Sequence, residues 1–277
     1  RELLQVDRLG ASDMQVLLDE MHLAAPHALL FLRSVRSIVV EGFDRRTEVR
    51  REDTAIGVDI VTNETSDSWF VLLGRVEDGE AIKREHRQIG ERRNEEVRIA
   101  LPVDGTVTGR VYATLPTQAR TGWAGHIDAT FYPRQDRKGI EFDGTNYRGR
   151  WNDALITSAA RTMATHLEQI AATVGAPAVW RYLLQAESVS KQAQADAYPP
   201  SFQAFASQAR STAATSRIAL TTTGVLLTPR DCLVCQEDDD HSAAEVLTRL
   251  GQPLLHQSLR ADAIQLSGDY APDRLTL

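Results

Sequence analysis

The sequence predicts an α/β protein in which a long helix packs on a mixed sheet and a smaller β/α module follows. Three observations support this fold class. Short segments rich in β-branched and aromatic residues recur between residues 37 and 76, as the strands of a meander do. Apolar residues then repeat at helical spacing from Trp151 to Val174. After Arg217 the chain returns to short strand-like segments with one helical stretch among them.

The first 76 residues predict two short helical segments and then three strands. Ser12 suits the N-cap of a helix over 12–21, and Pro26 suits the first position of a second helical segment that ends at Val35. Strands are expected at 37–43, 54–61 and 69–76, and polar breaks at 44–51 and 62–67.

The middle of the chain predicts a hairpin and a further strand. Residues 83–96 are densely charged without an apolar stripe, which indicates a solvated loop or an exposed helix. Residues 97–103 and 107–114 predict a hairpin across Asp104-Gly105, because Asp-Gly is a preferred hairpin turn. The next strand is expected at 124–133, with Ile127, Ala129 and Phe131 on one apolar face.

The remainder predicts helices and then the small module. A long helix is expected over 151–174, ended by Gly175, and more helix over 176–209, broken at Pro199-Pro200. The module is predicted from strands at 217–221, 224–227, 231–235 and 252–256, with a helix at 241–250 opened by Ser242. We place a boundary near Gly175, between a domain of residues 1–175 and a unit of residues 176–277.

Composition and charge restrict the function classes. The 277 residues carry a formal net charge of −7, which argues against general nucleic-acid binding by a basic surface. No apolar run approaches the roughly 18 residues of a membrane helix, and the first residues lack the apolar core of a signal peptide. The chain starts without Met, so we interpret it as a fragment of a larger protein. Its two cysteines make no disulfide framework, so a cytoplasmic location is expected.

Common catalytic signatures are missing, and the isolated candidates favour structural roles. There is no phosphate loop, dinucleotide fingerprint, zinc-protease motif or nucleophile elbow, and the scattered histidines predict no metal site. Cys232 and Cys235 form a lone CxxC, which we interpret as buried thiols rather than a redox pair or half a zinc site. His126 is interpreted as a hydrogen-bonding group, Trp151 as a core residue and Trp123 as an exposed one.

The segment that ends the strand at 124–133 is the main candidate site. Arg134, Arg137 and Lys138 lie within five residues, together with Asp136. One interpretation is a solvated loop whose cations pair with neighbouring carboxylates. The other is an anion-binding loop, since the planar guanidinium of Arg donates paired hydrogen bonds to phosphate.

Several stretches, in this order, resemble sacsin-type proteins. They are LFLRSVRSI at 30–38, GRVYATLP at 109–116, HIDATF at 126–131, RQDRK at 134–138 where the family has SSNRR, and WNDAL at 151–155. Residues 220–259 also resemble a later segment of the family. The ordered set is similar to one part of the GHKL ATPase superfamily, which includes the ninety-kilodalton heat-shock chaperone, the ATPase component of gyrase and the mismatch-repair ATPases.

The resemblance implies a transducer, or middle, domain that offers a basic loop to the γ-phosphate of ATP. Arg137 falls on the first Arg of the family's NRR and is the first choice for phosphate contact and catalysis, followed by Lys138 and Arg134. The chain departs from the family at Asp128 and Asp136, where Asn is common.

The ATP-binding domain itself is not found in the sequence. ATP and Mg would therefore be bound through an N-terminal domain of the same protein, and the chain alone is expected to bind neither and to be inactive. A client protein and a second copy of the chain are further partners that the resemblance allows. The alternatives are the same module in a DNA-repair or phage-defence ATPase, and a non-catalytic interaction domain.

Overall fold

The computed structural model describes residues 11–42, 45–90, 93–136, 138–142, 144–195, 198–235, 246–247, 249–266 and 272–275. Eight strands form one mixed sheet in this part of the chain. They are β1 (Ser37–Gly42), β2 (Arg45–Asp53), β3 (Gly57–Val61), β4 (Ser66–Arg75), β5 (Glu96–Pro102), β6 (Arg110–Ala113), β7 (Leu115–Arg120) and β8 (His126–Ala129). Their order across the sheet is β1-β2-β3-β4-β5-β8-β6-β7, and every neighbouring pair is antiparallel except β6 and β8.

The predicted hairpin across Asp104-Gly105 is wrong. Gly105 does take the left-handed conformation that such a turn uses, with a φ of 74°. The strands on its two sides nevertheless do not pair, because β8 lies between β5 and β6. Strand β6 pairs instead with β7, which the sequence did not predict as a strand.

The polar break expected at 44–51 is also wrong, since these residues belong mostly to β2. This strand has Arg or Glu at most positions but buries Val49 in the core. Both of its edges are paired, with β1 on one side and β3 on the other. Backbone pairing and one buried valine therefore maintain a strand whose other side chains are mostly exposed.

One helix, α1 (Ala11–Leu29), replaces the two helical segments predicted near the N-terminus. Ser12 lies inside α1 rather than at an N-cap, and Pro26 is inside the same helix, near its end. Residues 30–36 leave the helix and continue as a turn and an irregular segment. Helix α1 covers one face of the sheet, where Ala25 and Leu29 pack in a core with residues of β1 to β6.

The opposite face of the sheet carries the larger core and most helices. These are α2 (Gly79–Glu85), α3 (Tyr147–Thr165), α4 (Leu167–Ile170), α5 (Ala176–Gln194), α6 (Gln203–Ala213) and α7 (Gln257–Gln265). Helix α3 packs on β4 and β5, and a Cβ at Gly74 of β4 would lie 1.9 Å from Oγ1 of Thr162. A residue without a Cβ at that position lets helix and sheet approach closely.

The helices from α3 to α5 follow in outline the prediction of one long helix ended by Gly175 and more helix after it. A π-helical turn (Ala171–Gly175) precedes α5, and Gly175 has a φ of 111°, which ends the first helical stretch. The break at Pro199-Pro200 is confirmed, since a short 3₁₀ turn (Pro200–Phe202) separates α5 from α6. Buried residues on both sides of Gly175 share the larger core, and the boundary there stays a prediction from the sequence.

Four short strands follow α6: β9 (Ala219–Leu220), β10 (Leu226–Leu227), β11 (Leu233–Cys235) and β12 (Asp273–Leu275). The first three lie within predicted strands, and β12 was not predicted. The strand predicted at 252–256 is wrong, since only isolated bridges occur there. Strands β9 and β10 pair antiparallel, β11 and β12 pair parallel, and Leu254 and Leu255 bridge to Leu233 and Thr221. Most of the helix predicted at 241–250 lies outside the described residues. The prediction of an α/β mixed sheet with helices packed on it is confirmed.

Candidate functional site

The predicted basic loop is the tip of a hairpin whose described residues are 132–136 and 138–141, and which we call the basic hairpin. Pro133 and Ile140 form an antiparallel bridge, and the amide of Arg134 donates to the carbonyl of Gly139 at 2.9 Å. The amide of Glu141 donates to the carbonyl of Tyr132 at 3.1 Å. These bonds pair the two arms of the hairpin, residues 132–134 and 139–141, beyond the end of β8.

Helix α3 fixes the base of the basic hairpin through Asn152. The side chain of Asn152 is 0% exposed. Its Nδ2 donates to the carbonyls of Tyr132, at 2.9 Å, and Glu141, at 2.6 Å, and its Oδ1 accepts from the amide of Tyr132 at 2.7 Å. Trp151, in the core as predicted, donates from Nε1 to the carbonyl of Thr130 at 3.2 Å. One helical turn therefore sets the position of both hairpin arms.

Arg93 supports the same base from the other side, a role that no local sequence pattern indicates. Its Nη1 donates to the carbonyls of Thr130, at 2.7 Å, and Phe131, at 2.8 Å. Its guanidinium carbon lies 3.9 Å from the centre of the Tyr132 ring, within the range of a cation–π contact. Arg93 thus links the end of β8 to the base of the basic hairpin.

The tip of the basic hairpin borders an open groove of about 460 Å³, which we call the basic groove. Arg134 and Lys138, both predicted from the sequence, line it together with Arg120 of β7. Arg137, the first predicted contact, lies outside the described residues. The structure therefore brings two of the three predicted site residues together and adds a third cation from a neighbouring strand.

Two carboxylates near the basic groove have described partners other than its cationic groups. Oδ1 of Asp136 accepts from the backbone amide of Lys138 at 2.9 Å. Glu141 accepts from Asn146 and lies 3.7 Å from Arg148. Within the described ranges, the cationic groups of Arg120, Arg134 and Lys138 form no ion pair. These three charges are exposed to solvent and can meet an anion without first breaking a described salt bridge.

The second wall of the basic groove comes from the connection between α5 and α6. Tyr198, Pro199 and Phe202 line it. The Phe202 ring contacts Phe142, just after the basic hairpin, with centroids 5.7 Å apart, and it contacts Tyr198 at 5.4 Å. Residues from both sides of the predicted boundary near Gly175 therefore form one groove.

Two buried polar residues of β8 lie on the opposite face of the sheet, under α1. His126 accepts at Nδ1 from the amide of Arg110 at 3.0 Å, which confirms its hydrogen-bonding role. Burial, aided by His27 and Arg110, lowers the pKa of His126 to about 3, so its ring is neutral at physiological pH. Burial raises the pKa of Asp128 to about 6. Neither group lines the basic groove.

Two further sequence expectations have opposite outcomes. Trp123 is 2% exposed and packs against Tyr182 and Phe205, so its predicted exposure is wrong. Cys232 is buried as predicted, and burial raises the pKa of its thiol to about 11. Cys235 has its side chain outside the described part of the structure.

Neither a metal centre nor a membrane-spanning helix is found among the described residues. No three His, Cys, Asp or Glu side chains lie together there in a way that could hold a metal ion. Of the helices that the structure describes, none has the length and apolar character needed to cross a membrane.

Comparisons of this chain with protein-family models, with curated proteins and with solved structures found no match. Its function is therefore inferred from the basic groove and from the residues that position it.

Proposed function

We propose that this chain is the transducer region of a sacsin-like GHKL ATPase and that it supplies the basic hairpin to the γ-phosphate of ATP. ATP and Mg would be held by an N-terminal domain outside this sequence. The chain would contribute positive charge when the two domains close, and it would pass that closure to the parts that follow, as a chaperone-type ATPase does.

The observation that carries the proposal is the set of cations at the rim of the basic groove. Arg134 and Lys138 lie on a turn whose base is held by the buried Asn152. Catalysis of phosphoryl transfer depends on positioning and on neutralising the charge of the γ-oxygens. A fixed turn with solvent-exposed cations meets both requirements, while the open shape of the groove leaves room for a phosphate presented by another domain.

Geometry also supports a site that is divided between two domains. The basic groove is open, and its described walls provide no cluster of carboxylates that could hold Mg. Arginine side chains that act on a phosphate bound elsewhere raise turnover by about 10³–10⁵. The proposal assigns that role to Arg137 first, on the sequence, and to Lys138 and Arg134 next.

The test is ATP turnover by the full-length protein. Arg137→Ala and Lys138→Ala are each expected to lower kcat at least about tenfold, while the Kd for ATP stays nearly unchanged. The isolated chain is expected to show no ATP binding by calorimetry at about 1 mM nucleotide. Unchanged kcat in both variants would refute the proposal. Salt-dependent DNA binding by the full-length protein would instead favour a repair or defence ATPase.

A further inference from the structure

Arg120 is a third cation of the basic groove, and nothing in the local sequence distinguishes it. It is the last residue of β7, where its side chain is exposed. It lines the same groove as Arg134 and Lys138, although it lies 14 positions before the hairpin residue Arg134 (134 − 120). Its position therefore follows from the sheet and not from the basic hairpin.

Strand β7 is attached directly to the tip of the basic hairpin. The amide of Gln118 donates to the carbonyl of Lys138 at 2.7 Å. Because side chains alternate along a strand, Gln118 and Arg120 point to the same side of β7, and both line the groove. Thr117, on the other side, is buried and donates from Oγ1 to the carbonyl of Val111 at 2.7 Å. Ala119, between Gln118 and Arg120, also lines the groove.

The charge of the groove is opposite to that of the whole chain. Its described lining holds three cations, Arg120, Arg134 and Lys138, against one carboxylate, Asp136, a local net charge of +2. The chain carries a net charge of −7. The buried Ile140 and Phe202 form part of the wall, and low-dielectric walls strengthen the attraction of a cleft for an anion.

We propose that Arg120 is a further phosphate-contacting group of the site, acting from β7 beside the basic hairpin. This inference rests on the proposed function. A phosphoryl group in transfer spreads its negative charge over three oxygens, so several cations neutralise it better than one. The bond between Gln118 and Lys138 keeps the two sources in a fixed relation, so both meet the phosphate in the same closing step.

The experiment measures ATP turnover and nucleotide affinity in the full-length protein. Arg120→Ala is expected to lower kcat about tenfold and to leave the Kd for ATP within about twofold, because the contact forms only on closure. Arg120→Lys should recover part of kcat, since it keeps the charge but loses the planar fork. The matched control is Arg110→Ala, because Arg110 lies opposite Arg120 on β6 and does not line the groove.

The outcomes separate this inference from the proposed function. If Lys138→Ala lowers kcat and Arg120→Ala does not, the inference is overturned while the proposed function stands. If Arg137→Ala, Lys138→Ala and Arg120→Ala all leave kcat unchanged, both are overturned. A lower kcat in Arg120→Ala that is matched by Arg110→Ala, or by a fall in thermal stability, indicates a structural role for Arg120 and also overturns the inference.

Discussion

Replacing Asp128 by Asn should stabilise the protein at neutral pH and reduce the dependence of its stability on pH. Asp128 is buried on β8, where it faces Arg98 of β5 and Tyr112 of β6. Its Oδ1 accepts from the amide of Thr114 at 3.1 Å, and its Oδ2 lies 3.7 Å from Nη1 of Arg98. Glu96 lies closer to Arg98, with 2.5 Å between Oε1 and Nε, so Arg98 keeps a carboxylate partner in the variant.

The magnitude follows from the raised pKa of Asp128, which burial moves from 3.8 to about 6. A carboxyl whose pKa is raised by folding contributes stability that is fully present below pH 3.8 and is lost as the pH rises through 6. With these two values, ionisation of Asp128 lowers the free energy of unfolding by about 1 kcal/mol at pH 4.5 and by about 3 kcal/mol at pH 7.5. The Asn side chain is neutral at both pH values and can still accept from Thr114.

Urea unfolding at pH 4.5 and pH 7.5 measures the effect. The advantage of Asp128→Asn over the parent chain should be about 2 kcal/mol larger at pH 7.5 than at pH 4.5. Any difference in packing between the two side chains is the same at both pH values and cancels in this comparison. Asp104→Asn, in the exposed turn after β5, is the control and should show no such change. An equal advantage at both pH values would refute the reasoning.

Two other substitutions and one chemical measurement test further parts of the fold. Asn152→Ala should lower the free energy of unfolding by about 3 kcal/mol, because it removes three hydrogen bonds at the base of the basic hairpin and takes the partner from the Tyr132 amide and the Glu141 carbonyl. Thr114→Gly should raise it by about 1 kcal/mol, because Thr114 has a φ of 74°, where a β-branched residue is strained. Cys232 should be alkylated about 100-fold more slowly in the folded chain than in the unfolded chain, since burial raises the pKa of its thiol to about 11.

Each of these three predictions has a matched comparison or a direct measurement. Asn63→Ala removes two hydrogen bonds to backbone groups at an exposed position, so urea unfolding should show about 1 kcal/mol or less. Thr114→Ala removes the β-branch but keeps a Cβ, and it should recover less stability than Thr114→Gly. Alkylation of Cys232 is followed by mass spectrometry of its peptide. Equal stability in the two Asn variants, no gain from Thr114→Gly, or equal alkylation rates would contradict the corresponding prediction.

Patterns that depend on one element were predictable from the sequence. The alternation of Ile127, Ala129 and Phe131 correctly placed all three in the larger core, because a strand with one apolar face has one way to be buried. The turn preference of Asp104-Gly105 is equally local, and it misled for that reason. A local turn preference carries no information about β8, which begins 21 residues further on (126 − 105) and inserts between β5 and β6.

The candidate site was predictable in part for the same reason. Arg134 and Lys138 stand close together in the sequence, so their concentration of charge could be recognised there. Arg120 reaches the basic groove because β7 pairs in the sheet and is bonded to Lys138 through Gln118. Arg93 reaches the base of the basic hairpin by a hydrogen bond to the carbonyl of Thr130, 37 positions further along the chain. Neither arrangement leaves a local sequence pattern. Trp123 was misjudged because its cover comes from α5 and α6, more than 50 residues away along the chain.

The order in which the sheet can be completed follows from the place of β8. It is the last strand of this sheet in the sequence, and among the described strands it provides the pairing that joins β1–β5 to β6–β7. A growing chain therefore has to leave one edge of β5 and one edge of β6 open until residues 126–129 have been synthesised. Unpaired edges are templates for wrong partners. The strand edges most exposed to mispairing are therefore those that end in the middle of the finished sheet. They stay exposed until β8 inserts.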